Sequence, residues 1–229
     1  MQNLETESQA LKENLLEMMD LVTSQLTRCR KALTKRNPEP AKEVIAAEKK
    51  VNALELIIDK DCENILALYN PVATDLRFVL ASLKMGNDLE RIGDNASALA
   101  NFLSSDVSNK AKQYINKFKI EVMFDVTIEM LVAMSKAVRE KDALLAMATM
   151  KKNAALNDHG KNAPKVAAAL IKENPKDVKL IIRLFIIARR MERVGDLITN
   201  LGEEVVFHLE AKQMKHKKRK QKRKIRPEL

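Results

Sequence analysis

Two pairs of carboxylates stand one helical turn apart in closely matching surroundings: Glu90-Arg91-Ile92-Gly93-Asp94 and Glu192-Arg193-Val194-Gly195-Asp196. Acids at i and i+4 project from one side of a helix, so each pair presents up to four hard oxygens, a donor set that suits Mg²⁺, Ca²⁺, Mn²⁺ or iron. Without a cation, a like-charged pair at this spacing costs roughly 0.2–0.5 kcal/mol. Arg91 and Arg193 lie about 100° round the helix from the preceding glutamate and pair poorly with it on the same face. Metal is the better offset. Gly93 and Gly195 hold the same slot beside the two pairs. A helix-interior glycine costs roughly 1 kcal/mol relative to alanine, and close approach of another chain, a ligand or a neighbouring helix would account for both.

The two motifs are 102 residues apart, and the register extends beyond them: Asp75 falls opposite Asp177, Arg77 opposite Lys179, Leu99 opposite Leu201 and Leu54 opposite Leu156. This is a long internal repeat. Apolar residues at three- and four-residue steps (Leu4, Leu11, Leu15, Met18, Val22, Leu26, Cys29, Leu33) predict a first helix. Asn37-Pro38-Glu39-Pro40 ends it, since proline has no amide proton and disfavours helix in the residue before it. A second helix is expected from about Pro40 to Leu68, and a third, after Asn70-Pro71, as far as Leu103. The plan recurs with helices from about Ser108 to Arg139, from Asp142 to Asn157 and from Lys176 to beyond His208, with Asn157 to Pro164 as a candidate break. Short loops make sequential helices antiparallel. The predicted fold is all-α: six long helices forming two tandem, repeat-related three-helix bundles, residues 1–105 and 106–211, followed by a basic tail, 212–229.

On the third helix, Leu89, Ile92, Ala96, Leu99 and Leu103 cluster about 140° from Glu90, while Asp94 lies about 40° from it. Both acids are expected on the solvent side, as are Glu192 and Asp196. Antiparallel pairing about residue 70 sets Glu48 and Asn52 opposite Glu90 and Asp94, with Glu55 and Asp59 on the same side of helix two. The expected metal ligands are therefore Glu48, Asn52, Asp59, Glu90 and Asp94 in the first half, and Glu192 and Asp196 in the second. Asp88, Arg91 and Arg193 are expected to meet a partner. At the repeat offset, Asp88 and Glu48 become Arg190 and Met150, and helix five offers only Asn153, Asn157 and Asp158 nearby. The second site should bind metal weakly or not at all.

Other chemistry lacks its parts. There is no Glu-x-x-His pair of the di-iron type, no Walker loop, no G-x-S-x-G elbow and no Cys/His nucleophile arrangement. His159, His208 and His216 read as surface residues, although Glu204-x-x-x-His208 would share a face. Solvent-facing acids lack the burial that tunes acid–base catalysts. A non-enzyme is expected. Cys29 and Cys62 have neither metal spacing nor disulfide density and read as plain buried thiols in a reducing compartment. The polar, acidic start does not resemble a signal peptide.

The net charge of +10 is concentrated at one end: residues 212–229 carry ten Lys/Arg and one acid, leaving the body near neutral. Lys217, Lys218, Arg219, Lys220, Lys222, Arg223 and Lys224 could bind polyanions by counterion release or hold anionic lipid. Dense like charges repel and the tail has no aromatics for base stacking, so a solvated, disordered terminus is expected rather than a nucleic-acid site. A rival reading makes the bundles a scaffold for this tail, bound to nucleic acid or an anionic membrane.

Residues from about 10 to 212 resemble the PhoU family, through Glu90-x-x-x-Asp94, Glu192-x-x-x-Asp196 and Asp75-Leu76-Arg77. The resemblance implies a cytoplasmic, often dimeric adaptor that restrains a phosphate-responsive sensor kinase and a phosphate ABC transporter when phosphate is ample. It also implies clusters of iron or zinc at the acidic faces, so that with the donor chemistry above the expected metal is iron, zinc, manganese or magnesium. Peripheral contact with the inner membrane through the tail would be an addition to that plan.

Overall fold

A computed structural model describes residues 2–35, 37–104 and 111–214 of the chain. The described residues fold into seven α-helices and a short 3-10 turn. In the first half, α1 (Gln2–Lys35), α2 (Glu39–Tyr69) and α3 (Ala73–Leu103) follow the expected spans closely. Asn70 ends α2 in the left-handed region at φ 46°, where asparagine is tolerated, and Pro71 prevents continuation.

The second half departs twice from the sequence pattern. The single helix expected from Ser108 to Arg139 is two, α4 (Ala111–Phe118) and α5 (Ile120–Glu140). Lys119 separates them at φ 56°, a left-handed conformation that costs a non-glycine residue roughly 1–2 kcal/mol and leaves no mark on the apolar periodicity. Conversely, the break expected between Asn157 and Pro164 is absent: α6 (Ala143–Glu173) runs through Pro164. Proline cannot donate to the carbonyl four residues back. That carbonyl belongs to Gly160, and Arg189 Nη1 reaches it at 3.5 Å. A side chain from the next helix thus takes the place of the missing amide. Pro175–Asp177 form the 3-10 turn, and α7 (Val178–Glu210) completes the fold.

Helices α1, α2 and α3 pack against one another, as do α5, α6 and α7, with α4 against the latter group; α3 also packs on α7 and α1 on α5. The buried residues of both halves form one continuous cluster. Polar groups lie within it, Asp88, Asn95 and Glu204 among them. Lys84 bridges α3 to Glu204 of α7 at 3.1 Å, and Arg190 Nη1 of α7 donates to Asn95 Oδ1 of α3 at 3.1 Å. No helix of the described residues is long and apolar enough to cross a membrane. Lys217 through Lys224, assigned above to polyanion binding, lie outside the described residues.

Candidate functional site: an unpaired acidic face and its paired counterpart

The repeated glycines set the distance between the helices that carry the acids. A Cβ on Gly93 would stand 2.9 Å from Val51 Cγ1 of α2. A Cβ on Gly195 would strike Asn153 and Leu156 of α6, and Asn153 is the repeat counterpart of Val51, again 102 residues on. Close approach of a neighbouring helix therefore accounts for both glycines without a ligand. It also fixes the register of α2 on α3. Gly86 faces Ile58 and Gly93 faces Val51, so the antiparallel pairing is shifted about one turn from the sequence expectation, and Glu55 rather than Asn52 meets the acid pair.

The electrostatics agree. Burial raises the Glu90 carboxyl above its ordinary value, and Asp94, Glu55 and Glu48 add to the rise, partly offset by Arg91. Burial likewise raises Glu55, with Asp59 and Asp94 adding to it. Glu48, Glu55, Asp59 and Glu90 are half-buried, whereas Asn52 and Asp94 are exposed. Asp59 Oδ1 is buried with no hydrogen-bond partner among the described residues. The α2–α3 groove thus holds five carboxylates that repel one another. As the side chains stand, no three acidic, histidine or cysteine side chains of the described residues converge closely enough to hold an ion. The donor chemistry and the uncompensated charge fit a hard cation, with rotation of the glutamate side chains needed to close round it.

In the second half the same motif is occupied by the protein itself. Glu192 does not face solvent as expected; its side chain is only 13% exposed and lies over Gly160, in space that a Cβ there would fill. Arg189 forms an ion pair with it. Asp196 accepts a hydrogen bond from Asn153 Nδ2 at 2.8 Å. At the repeat counterparts of Glu48, Asn52, Glu55 and Asp59 stand Met150, Ala154, Asn157 and Lys161, none of them acidic.

Of the residues expected to meet a partner, Arg91 and Arg193 are exposed. Asp88 is not: it is 9% exposed and accepts a hydrogen bond from Arg91 Nη1 at 3.1 Å. Two residues before Glu90 in sequence, it lies about 160° from it round the helix, on the side packed against α7. Glu204 and His208 share a helix face, but Glu204 is buried and bound to Lys84, and His208 is not at the surface as expected. His208 is half-buried against the Phe78 ring, 5.1 Å between centroids. Both cysteines are buried free thiols, and burial pushes each up to about 12.

The PhoU domain model matches twice, over residues 15–103 and 120–205, so each match carries one of the motifs. The chain belongs to the PhoU family. It is 32% identical over 216 residues to "Phosphate-specific transport system accessory protein PhoU homolog 1" of Thermotoga maritima, covering 93% of this chain and 91% of that one. The crystal structure of PhoU from Pseudomonas aeruginosa superposes with a TM-score of 0.82 at 25% identity, over 91% of this chain and 99% of that one. That of the phosphate transport system regulatory protein PhoU from Streptococcus pneumoniae gives 0.80 at 22% identity, over 92% and 99%, and supports the all-helical fold. Glu55, Gly160 and Arg189 are the site residues that motif spacing alone does not rank. Periodicity already places Glu55 on the acidic side of helix two without ranking it as a ligand, but Gly160 and Arg189 become informative only once α6 and α7 are paired.

Proposed function

We propose that this chain is a non-enzymatic accessory regulator of phosphate uptake, restraining a phosphate-responsive sensor kinase and the ATPase of a phosphate ABC transporter when phosphate is ample. The name of the Thermotoga maritima relative supports the setting. The unpaired acidic face of α2 and α3 supports the means, and it is the observation that carries this reading: Glu48, Glu55, Glu90 and Asp94 have no hydrogen bond or ion pair among the described residues, in contrast to Glu192 and Asp196.

Glu48, Glu55, Asp59, Glu90 and Asp94 would hold the cation, whether iron, zinc, manganese or magnesium. Bound metal supplies the positive charge that the groove lacks. The two helices hold the carboxylates at a spacing set by Gly86 and Gly93, and exposed Arg91 flanks the face as a contact for acidic groups of a partner. Arg193 offers a second such contact beside the paired motif. The protein acts in the cytoplasm as a homodimer.

The test is alkaline phosphatase activity in phosphate-rich medium, compared among strains carrying the intact gene, a deletion, Glu90→Gln/Asp94→Asn, and Glu192→Gln/Asp196→Asn at equal expression. The deletion and the first-half variant should release the activity, and the second-half variant should keep it repressed. Normal repression in the deletion strain would remove the regulatory role.

A further inference from the structure

We infer that a cavity at the end of the molecule where both halves meet binds a small amphipathic anion, a carboxylate or phosphate head on an apolar body. The cavity has a volume of about 700 Å³ and shares no residue with the acidic motifs. Sites for small molecules span about 300–1,000 Å³ and combine apolar walls with a few polar groups. This one is bordered by the first turns of α1, the α2–α3 connection, the first half of α3, the end of α5 and the last two turns of α7.

Phe78, Met85, Val205 and Leu209 make much of its wall apolar, while Lys12 and Lys141 contribute two ammonium groups. The Lys12 amine donates to the Arg139 carbonyl at 2.9 Å. No carboxylate pairs with either lysine among the described ion pairs. The two ammonium groups repel each other, and Arg139 and Arg77 add positive charge nearby. Burial, Lys141 and Arg139 all lower Lys12, and burial, Lys141 and Arg77 push His208 down to about 4. Glu5 and Asp75 also border the cavity, but Asp75 offsets the cations at His208 only in part. Ser8 Oγ and His208 Nδ1, on lining residues, are buried with no partner among the described residues. Rotation about χ1 would turn the serine hydroxyl toward an incoming head group.

An inorganic anion would meet the ammonium groups and leave the apolar wall wet. A neutral alkane would cover the wall and leave the ammonium groups without counter-charge. Only a ligand with both parts satisfies both surfaces, which selects the class.

Calorimetric titration of the full chain tests this with decanoate, decyl phosphate, decanol, decylammonium and inorganic phosphate, each below its aggregation limit. Decanoate or decyl phosphate should saturate one site, and the tighter of the two identifies the head group. Decanol should bind about tenfold more weakly, with no saturation by decylammonium or inorganic phosphate. Lys12→Gln/Lys141→Gln should weaken the anion about tenfold and leave decanol unchanged, because glutamine keeps a donor for the Arg139 carbonyl. Thr74→Trp, at an exposed lining position, should block both ligands. No saturable binding, equal affinity for decanoate and decanol, unchanged decanoate affinity in the lysine variant, or saturation by inorganic phosphate alone would each overturn the inference.

Discussion

The two halves repeat the helix packing and differ in the charge laid over it. Gly93 against Val51 and Gly195 against Asn153 are the same contact 102 residues apart. Yet the first-half acids face other acids, whereas Glu192 is paired with Arg189 over Gly160 and Asp196 with Asn153. The α2 face that carries Glu48, Glu55 and Asp59 became Met150, Asn157 and Lys161 on α6. Packing positions thus constrain what the backbone can do, while the groove between the helices is free to be an open anionic site in one copy and a self-satisfied seam in the other.

The largest effect expected from disturbing this comparison is on stability. Gly195→Ala must displace both Asn153 and Leu156, an overpacking that should cost about 2–3 kcal/mol in denaturant unfolding. Gly93→Ala meets a single Val51 methyl at 2.9 Å and should cost about 1 kcal/mol, part of the strain being recovered through the better helix propensity of alanine. Equal and negligible costs would mean that the helices do not approach as closely as described.

A smaller effect, of about tenfold in affinity, comes from rebuilding the second groove. Arg189→Gln/Asn157→Glu/Lys161→Asp frees Glu192 and restores acids at the counterparts of Glu55 and Asp59. A second Mn²⁺ equivalent should then appear, about tenfold weaker than the first. Its failure to appear would place the difference between the halves somewhere other than in these charges.

The smallest effects have opposite signs. Glu90→Gln removes a charge that its neighbours repel, and should raise the melting temperature of the metal-free protein by about 1–2 °C at neutral pH. Glu192→Gln breaks the pair with Arg189 and should lower it by a similar amount. The pH dependence follows. A carboxyl raised in the folded state holds its proton longer than in the unfolded chain, so wild type should lose stability relative to Glu90→Gln as pH rises from 4.5 through the raised value. Parallel pH profiles would show that Glu90 is not strained by its neighbours.

Apolar periodicity and proline breaks locate α1, α2 and α3 to within about two residues, because those signals are local. The motif repeat likewise exposes the family and the carboxylate pairs. What it does not expose depends on a single backbone conformation or on contacts distant in sequence. The α4–α5 break rests on the backbone conformation of Lys119, and the continuity of α6 through Pro164 on a carbonyl met by Arg189. The prominence of Glu55 needs the exact register of α2 on α3, which Gly86 and Gly93 set through Ile58 and Val51. The burial of Asp88 and Glu204 needs α3 packed on α7.

The most direct test of the account is calorimetric titration of Mn²⁺ into the metal-free protein, Glu90→Gln/Asp94→Asn and Glu192→Gln/Asp196→Asn. The predicted result is one tight equivalent in wild type, weakened about a hundredfold or more by the first-half variant and less than about threefold by the second. Equal losses in the two variants, or two equal sites in wild type, would contradict the claim that only the first groove is open to metal.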